Sequence, residues 1–210
     1  MHYPGKELEN FDKAKVWRKY IFFCIRKYLK GEILEIGSGI GSFTINYLKY
    51  FTNITLTEID QNNFNFLKNR FKSYEKIKII NDLVSNIDKN FDTIIHMNVL
   101  EHIQNDKDEI NNCLKRINKN GYLIILVPAH NALYSNFDKE IGHIRRYDKS
   151  FFNSLELIDA KIQTLIYLDS MGYFLYYLNK LFFGKEIYPS KFKIFVWDKI
   201  FTPLSVIVDF

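Results

Sequence analysis

The sequence predicts an open α/β fold, a doubly wound and mostly parallel sheet with helices on both faces. Three observations lead there. Short apolar runs alternate with amphipathic stretches between residues 31 and 128. The first run, "ILEIGSGIG" (Ile33–Gly41), breaks into three glycines spaced by small residues. No internal repeat or low-complexity linker interrupts the 210 residues. Strands alternating with helices imply right-handed crossovers and a sheet covered on both faces.

Residues 7 to 29 place Leu8, Phe11, Val16, Tyr20, Phe23 and Leu29 at helical spacing, predicting one helix that leads into the core. "EILEI" then reads as a strand and "SFTINYLKYF" as a helix, followed by "ITLTE" and "NNFNFLKNRF" in the same order. "IKII" leads through a loop to the strand "FDTIIHM". "DKDEINNCLKRI" gives a helix, the Asn-Gly of "NKNGYLIILVP" a turn, and "YLIILV" the fifth strand. Past Pro128 the rhythm changes. Residues 129 to 148 form a long polar connection rich in His and Arg, and loops of that length are commonly functional. "SFFNSLELI" is expected as a helix and "KIQTLIYL" as a sixth strand. Two aromatic helical stretches follow, "MGYFLYYLNKLFF" and "KFKIFVWDKIFTPLSVIVDF".

A composition of 47% hydrophobic and 17% aromatic residues is ample for a packed core and argues against disorder. The net charge of +5 suits contact with phosphates, lipid headgroups or nucleic acid, though a mixed surface gives the same sum. Cys24 and Cys113 show neither disulfide nor zinc spacing, and no carboxylate cluster or His pair predicts a metal site. The amino-terminal residues carry no export pattern, and Lys193, Asp198, Lys199 and Pro203 interrupt the last apolar stretch, so no membrane span is expected. Those features predict a cytoplasmic enzyme.

The glycine order Gly37-Ser38-Gly39-Ile40-Gly41 is G-x-G-x-G, with Phe43 next along rather than the later glycine of a dinucleotide site. Glu35 stands just before it. A carboxylate there sits badly against a pyrophosphate and well against an ammonium group, so the ligand expected is zwitterionic and lacks phosphate. Glu58, with Ile59 beside it, closes the second strand, where a carboxylate can accept two ribose hydroxyls. Asp82 and Leu83 end the third strand, placed for an adenine amine and an adenine face. "FDTIIHMNVLEHI" follows as strand, loop and helix start.

With these four features in order, residues 33 to 128 resemble the class I S-adenosylmethionine-dependent methyltransferases, whose core is Rossmann-like. The resemblance implies that Glu35 and the Gly37, Ser38, Gly39 and Gly41 backbone hold the methionine moiety. It further implies Glu58 at the ribose, with Ile59 among the cofactor-binding residues, Asp82 and Leu83 at the adenine, and Asn98 and Val99 at the sulfonium end. Glu101 and His102 match the family's "LEH", either orienting the next helix or touching substrate. The whole chain, 1–210, then reads as one methyltransferase domain: an N-terminal helix (1–30), a cofactor-binding core (31–128), and an acceptor-side loop with a C-terminal helical cap (129–210). The family's seventh strand has no counterpart in the sequence. Either residues 204 to 210 substitute for it, or that edge is covered differently, or the chain is truncated.

The sulfonium methyl is already activated, so transfer is an in-line displacement in which alignment and exclusion of water matter most. A hydroxyl acceptor gains from a base, and His102, His130 and His143 are the candidates. "PAHNALYSNFDKEIGHIRRYDK" resembles a bacterial subgroup of the family with a GH-x-RRY loop, linked with cell-surface glycan and lipid modification. Arg145, Arg146 and Tyr147 are expected to clamp an anionic acceptor; the competing arrangement pairs one arginine with Asp138 while Tyr147 packs. Tyr173, Phe174 and Tyr177 are expected to shield an apolar part of the acceptor over the methyl-donor pocket. A small-molecule, sugar or lipid-linked acceptor is predicted, with peripheral contact at the inner membrane surface. Nucleic-acid methylation fits less well: "HMNV" stands where amino-directed DNA enzymes carry Pro-Pro-aromatic, and neither cysteine follows proline as the base C5 enzymes require. The remaining rivals are a non-catalytic cofactor-binding scaffold and an NAD-dependent enzyme.

Overall fold

The structure is a computed structural model that describes residues 3–5, 7–182 and 188–210, with side chains 179–182 outside the description. In chain order the helices and strands are α1 (Leu8–Phe11), α2 (Lys15–Ile25), β1 (Ile33–Ile36), α3 (Thr44–Tyr47), β2 (Ile54–Thr57), α4 (Gln61–Arg70), β3 (Ile77–Ile80), β4 (Phe91–Met97), α5 (Asp106–Leu114), β5 (Ile117–Leu126), α6 (Asn136–Glu140), α7 (Lys149–Asn153), α8 (Ser170–Phe182), α9 (Lys191–Val196) and α10 (Thr202–Asp209). A π-helical stretch, Trp197–Phe201, joins the last two. The chain divides into two compact units, residues 1–3 with 24–127 and residues 4–23 with 128–210.

The first unit is a five-stranded sheet in the order β3-β2-β1-β4-β5, parallel throughout and flanked by helices. Strands β1 (Ile-Leu-Glu-Ile) and β2 (Ile-Thr-Leu-Thr) are buried at every position, Glu35 included, as inner strands of a parallel sheet are. Leu34, Ile36, Val84, Ile87, Phe91, Ile94 and Cys113 form a core, which Val99, Ile117 and Leu123 extend. The strand order reverses between β1 and β4, so the carboxyl ends of these two strands flank the crevice where open α/β sheets hold ligands. Asp60 starts α4 by accepting from the N–H groups of Asn62 and Asn63, each at 2.9 Å. The Asn-Gly turn expected ahead of β5 lies within that strand. Pairing jumps from Phe91 with Ile117 to Thr93 with Tyr122, and Asn120 takes φ 64° in the bulge between.

The second unit is helical, and three expectations change there. The N-terminal helix is split, because the Arg18 guanidinium turns back to the carbonyls of Phe11 and Asp12 and ends α1 before α2 begins. Residues 161–168, expected as a sixth strand, are irregular and mostly exposed; strand-forming residues make no strand without a neighbour to pair with. The polar connection 129–148 is not structureless: it holds a 3₁₀ turn (Asn131–Leu133), α6, and a bridge between Ala129 and Tyr147. Residues 202–209 are helical, so no seventh strand forms there. Phe183, the last residue of the first aromatic stretch, lies outside the described residues.

Candidate active site

The loop after β1 is shaped by positive backbone angles at Gly37, Gly39 and Gly41. At Gly37 a Cβ would stand 2.7 Å from Val99 Cγ2, so glycine is demanded twice, by φ +61° and by close approach. Ser38 donates its hydroxyl to the carbonyl of Glu35 at 3.1 Å, folding the loop back on its strand. Glu35 is buried, and its Oε2 accepts from Thr44 at 2.8 Å and from the Tyr47 hydroxyl. Burial raises its carboxyl to about 7 despite the opposing pull of those two hydroxyls.

Glu58 follows β2 and is buried as well. Its Oε2 accepts from Gly39 N and its Oε1 from Asp60 N, each at 2.8 Å. Burial raises its pKa, and the two backbone N–H groups counter this. Ile59, the next residue, is partly exposed. Past β3, the Asn81 amide donates to the Glu58 carbonyl at 2.6 Å. Asp82 Oδ1 accepts from Leu83 N and from the Asn86 amide, and the Leu83 side chain stands exposed.

At the end of β4, Asn98 adopts φ 54° and donates its N–H to Leu126 O at 2.9 Å. A non-glycine residue held in the left-handed region carries strain of a kind that clusters at functional sites. Val99 packs over Gly37. Glu101 is wholly buried in a 3₁₀ turn, and His102 meets Tyr3 edge-on at 5.6 Å. The structure thus collects Glu35, the glycine loop, Glu58, Asn98 and Val99 along the carboxyl ends of β1, β2 and β4.

One ligand-type trio is invisible in sequence spacing. His96 Nε2 lies 3.5 Å from both Glu109 Oε1 and Cys113 Sγ. Burial, with the Glu109 charge, pushes the Cys113 thiol well above its ordinary value.

The second unit centres on Asp138, a buried carboxylate on α6. Its Oδ1 accepts from His143 Nδ1 and Arg146 Nε, both at 2.9 Å. Its Oδ2 accepts from Ser135 N at 2.9 Å and from the hydroxyls of Ser135 and Tyr176 at 3.0 Å. Burial alone would raise this carboxyl, but the hydrogen bonds from His143 and Arg146, with the guanidinium charge, hold it well below the usual range. Because an ionised carboxylate only accepts, His143 Nδ1 carries the proton in this pair and the imidazole is fixed in one orientation.

Arg146 is turned inward. Besides Asp138 it stacks on the Tyr176 ring at 4.2 Å and donates to the Ala129 carbonyl. Tyr147 is buried against Phe151 and Phe152. The pair therefore adopts the competing arrangement, one arginine on Asp138 and the tyrosine packed, rather than standing as two acceptor ligands. Arg145 is half-buried. His130 takes φ 63° and lies between two rings, stacked on Tyr167 at 4.5 Å and tilted against Tyr173 at 4.7 Å. Sequence reasoning missed Thr44, Tyr47 and Tyr176. The first two lie on the helix following the glycine loop and meet Glu35 only once that helix has turned; Tyr176 left no local signal.

Residues 34–123 match the family model described as a methyltransferase domain. The ribosomal RNA small subunit methyltransferase A of Wigglesworthia glossinidia brevipalpis is 42% identical over 83 residues, 39% of this chain and 31% of its own. The rRNA adenine N-6-methyltransferase of Lysinibacillus sphaericus is 34% identical over 77 residues, 37% of this chain and 32% of its own. The chain spans about a third of the length of these curated relatives. The N-methyltransferase NodS from Bradyrhizobium japonicum WM9, solved with S-adenosyl-L-homocysteine, superposes with a TM-score of 0.55 at 17% identity, over 70% of this chain and 75% of that one. That last likeness is one of fold. With the parallel sheet, the glycine loop and the acidic end of β2, these matches make residues 34–123 similar to a methyltransferase domain, on a fold shared with a methyltransferase solved with S-adenosyl-L-homocysteine.

Proposed function

We propose that the protein passes a methyl group from S-adenosylmethionine to a small-molecule, sugar or lipid-linked acceptor. The observation that carries the reading is the bond from Gly39 to Glu58, which ties the glycine loop to the acidic end of β2. The cradle fits such a cofactor: side chains are excluded at Gly37 by Val99 and at Gly41 by Phe71 and Leu67, leaving backbone toward the crevice. When bound, S-adenosylmethionine supplies an already activated methyl on a sulfonium. Glu35, Gly37, Ser38, Gly39 and Gly41 would hold its amino-acid end, Glu58 and Ile59 the ribose, Asp82 and Leu83 the adenine, and Asn98 with Val99 the sulfonium side.

The chain's part in the chemistry is alignment, exclusion of water and, for a hydroxyl acceptor, removal of a proton. His143 is the base this reading favours, since Asp138 fixes its tautomer and leaves Nε2 as the basic nitrogen. Arg145 is the side chain assigned to an anionic group on the acceptor, with Arg146 and Tyr147 supporting the loop that presents it.

The two rRNA methyltransferase relatives favour a second reading, in which the acceptor is a nucleic-acid base. Against it, the residues after β4 are Asn98, Val99 and Leu100, with no aromatic to stack on an extruded base. Purified protein with methyl-labelled S-adenosylmethionine and a cell lysate separates the readings. Label is expected in the small-molecule or lipid fraction; label confined to RNA would replace the first reading with the second. No labelled product, with cofactor binding intact, would favour a scaffold.

A further inference from the structure

The last helical segment of the second unit buries several polar side chains and leaves a row of apolar ones in solvent. From Lys191 to Asp209 it runs through α9, the π-helical stretch and α10. Pro203 has no N–H to continue the ladder, and the wider π turn just before it absorbs the break. Its inward side carries Ile194, Asp198, Thr202 and Ser205, at 4%, 1%, 0% and 0% exposure, with Trp197 packed on Phe11 and Trp17. Asp198 Oδ1 accepts from the N–H groups of Val16 and Trp17, each at 2.9 Å, and so completes the open first turn of α2. Ser205 donates to Asp169 at 2.7 Å and accepts from Met171 N at 3.1 Å. Asp209 receives the Tyr20 hydroxyl at 2.6 Å.

The outward side is apolar. Phe192, Phe195, Ile200, Leu204, Ile207 and Val208 are 73%, 57%, 52%, 42%, 75% and 62% exposed. A helix on a water-facing surface carries polar residues outward. Single exposed apolar residues are ordinary, but six along one face about 28 Å long make a contiguous patch of the kind that marks association. At its amino end Lys13, Lys191 and Lys199 line a shallow groove with Asn10 and Phe195. Lys199 is paired with Asp198 at 2.9 Å, while Lys13 and Lys191 are exposed.

We propose that this face docks on an anionic lipid surface, with the six apolar side chains at the headgroup–acyl boundary and Lys13 and Lys191 against lipid phosphates. The segment lies between protein and bilayer, which gives each of its two faces the surroundings its residues match. Among the described residues no helix is long and apolar enough to cross a membrane, so the contact is a flat one. Charge selects lipid over a second copy. The segment's own carboxylates, Asp198 and Asp209, bond inward, so its outward side sets Lys191 beside the apolar residues with no acidic side chain of the segment there, an arrangement that anionic headgroups complement. The proposal stands apart from methyl transfer, and cofactor binding measured on the same samples reports on that reading separately.

Flotation of the full chain with vesicles tests it, using phosphatidylcholine alone and phosphatidylcholine mixed with phosphatidylglycerol. Binding to the mixed vesicles is expected to be about tenfold stronger or more, and to fade with added salt. Phe195→Asp with Ile207→Asp should lower it about tenfold or more with the circular dichroism spectrum unchanged. Lys13→Glu with Lys191→Glu should remove mainly the preference for phosphatidylglycerol. Failure to float with either vesicle at low salt would overturn the proposal. So would a sedimenting dimer that Ile207→Asp dissociates and that binds no vesicles.

Discussion

Glu58 reaches from the end of β2 to the backbone N–H of Gly39, 2.8 Å away, so that the second strand holds the loop of the first. Its other oxygen takes the N–H of Asp60 at the start of α4. One carboxylate thus organises two backbone turns around the proposed ribose position. Glu58→Ala should weaken S-adenosylmethionine binding by about 10- to 100-fold, since charged hydrogen bonds to buried groups are lost. Glu58→Gln, which keeps one acceptor oxygen, should lose less. Wild-type affinity in the alanine variant, measured by calorimetry, would remove Glu58 from the site.

Glu35 predicts a pH dependence of stability. Its folded pKa, about 7, lies above the ordinary carboxylate value, so the native state keeps a proton that the unfolded chain has already lost. Stability attributable to this group therefore falls as pH rises from about 4.5 to about 7 and levels off above. Glu35→Gln should flatten that slope and gain up to about 3 kcal/mol near pH 8. Urea titrations near pH 5 and near pH 8 measure it; identical slopes in both proteins would show that Glu35 ionises normally. Should the methionine ammonium of the cofactor meet this carboxyl, binding near pH 6 releases a proton, readable from calorimetry in buffers of differing ionisation enthalpy.

Gly37→Ala should cost about 1–3 kcal/mol and lower cofactor affinity, because the new methyl meets Val99 and the backbone angle is positive. Adding Val99→Ala should recover the contact part of that loss and leave the backbone part. Complete recovery would mean that φ at this position carries no strain.

The Asp138 network should report chiefly on stability. Asp138→Asn leaves the Arg146 guanidinium buried without its counter-charge, at about 3–5 kcal/mol. Arg146→Ala should likewise lower the melting temperature while cofactor affinity holds. As the Asp138 pKa is depressed, its contribution is complete above the ordinary carboxylate range and is lost only as acid approaches the folded value. His143→Ala should depress turnover more than stability. Turnover equal to wild type would end its assignment as base.

Much of the first unit was legible because its signals are local. A glycine run follows an apolar strand, an acidic residue closes the next, and the Asn-Val-Leu-Glu-His stretch follows the fourth. The partners of Glu35 were not, since Thr44 and Tyr47 reach it only once α3 has turned. Residues 161–168 are rich in strand-forming types such as Ile162, Ile166 and Tyr167, yet pairing is a tertiary property that residue type cannot supply. Asp138 gathers groups from α6, the turn after it and α8, a convergence with no linear pattern. The last segment misleads for another reason: periodicity shows two faces and by itself assigns the apolar one inward, whereas Asp198 and Ser205 bond inside.

The Asp198 contact to α2 also sets an order of events during synthesis. The second unit is assembled from both ends of the chain, residues 4–23 and 128–210, around a continuous stretch. Val16 and its acceptor are 182 residues apart, so at about 5–20 residues per second the helix leaves the ribosome about 10–40 s before the carboxylate is made. Water satisfies its first turn through that interval, while residues 24–127 already hold every strand of the sheet. A nascent chain halted short of Asp198 would carry a sheet able to form and a leading helix with no terminus to join. Proteolysis of stalled chains should therefore spare 24–127 and cut within 4–23.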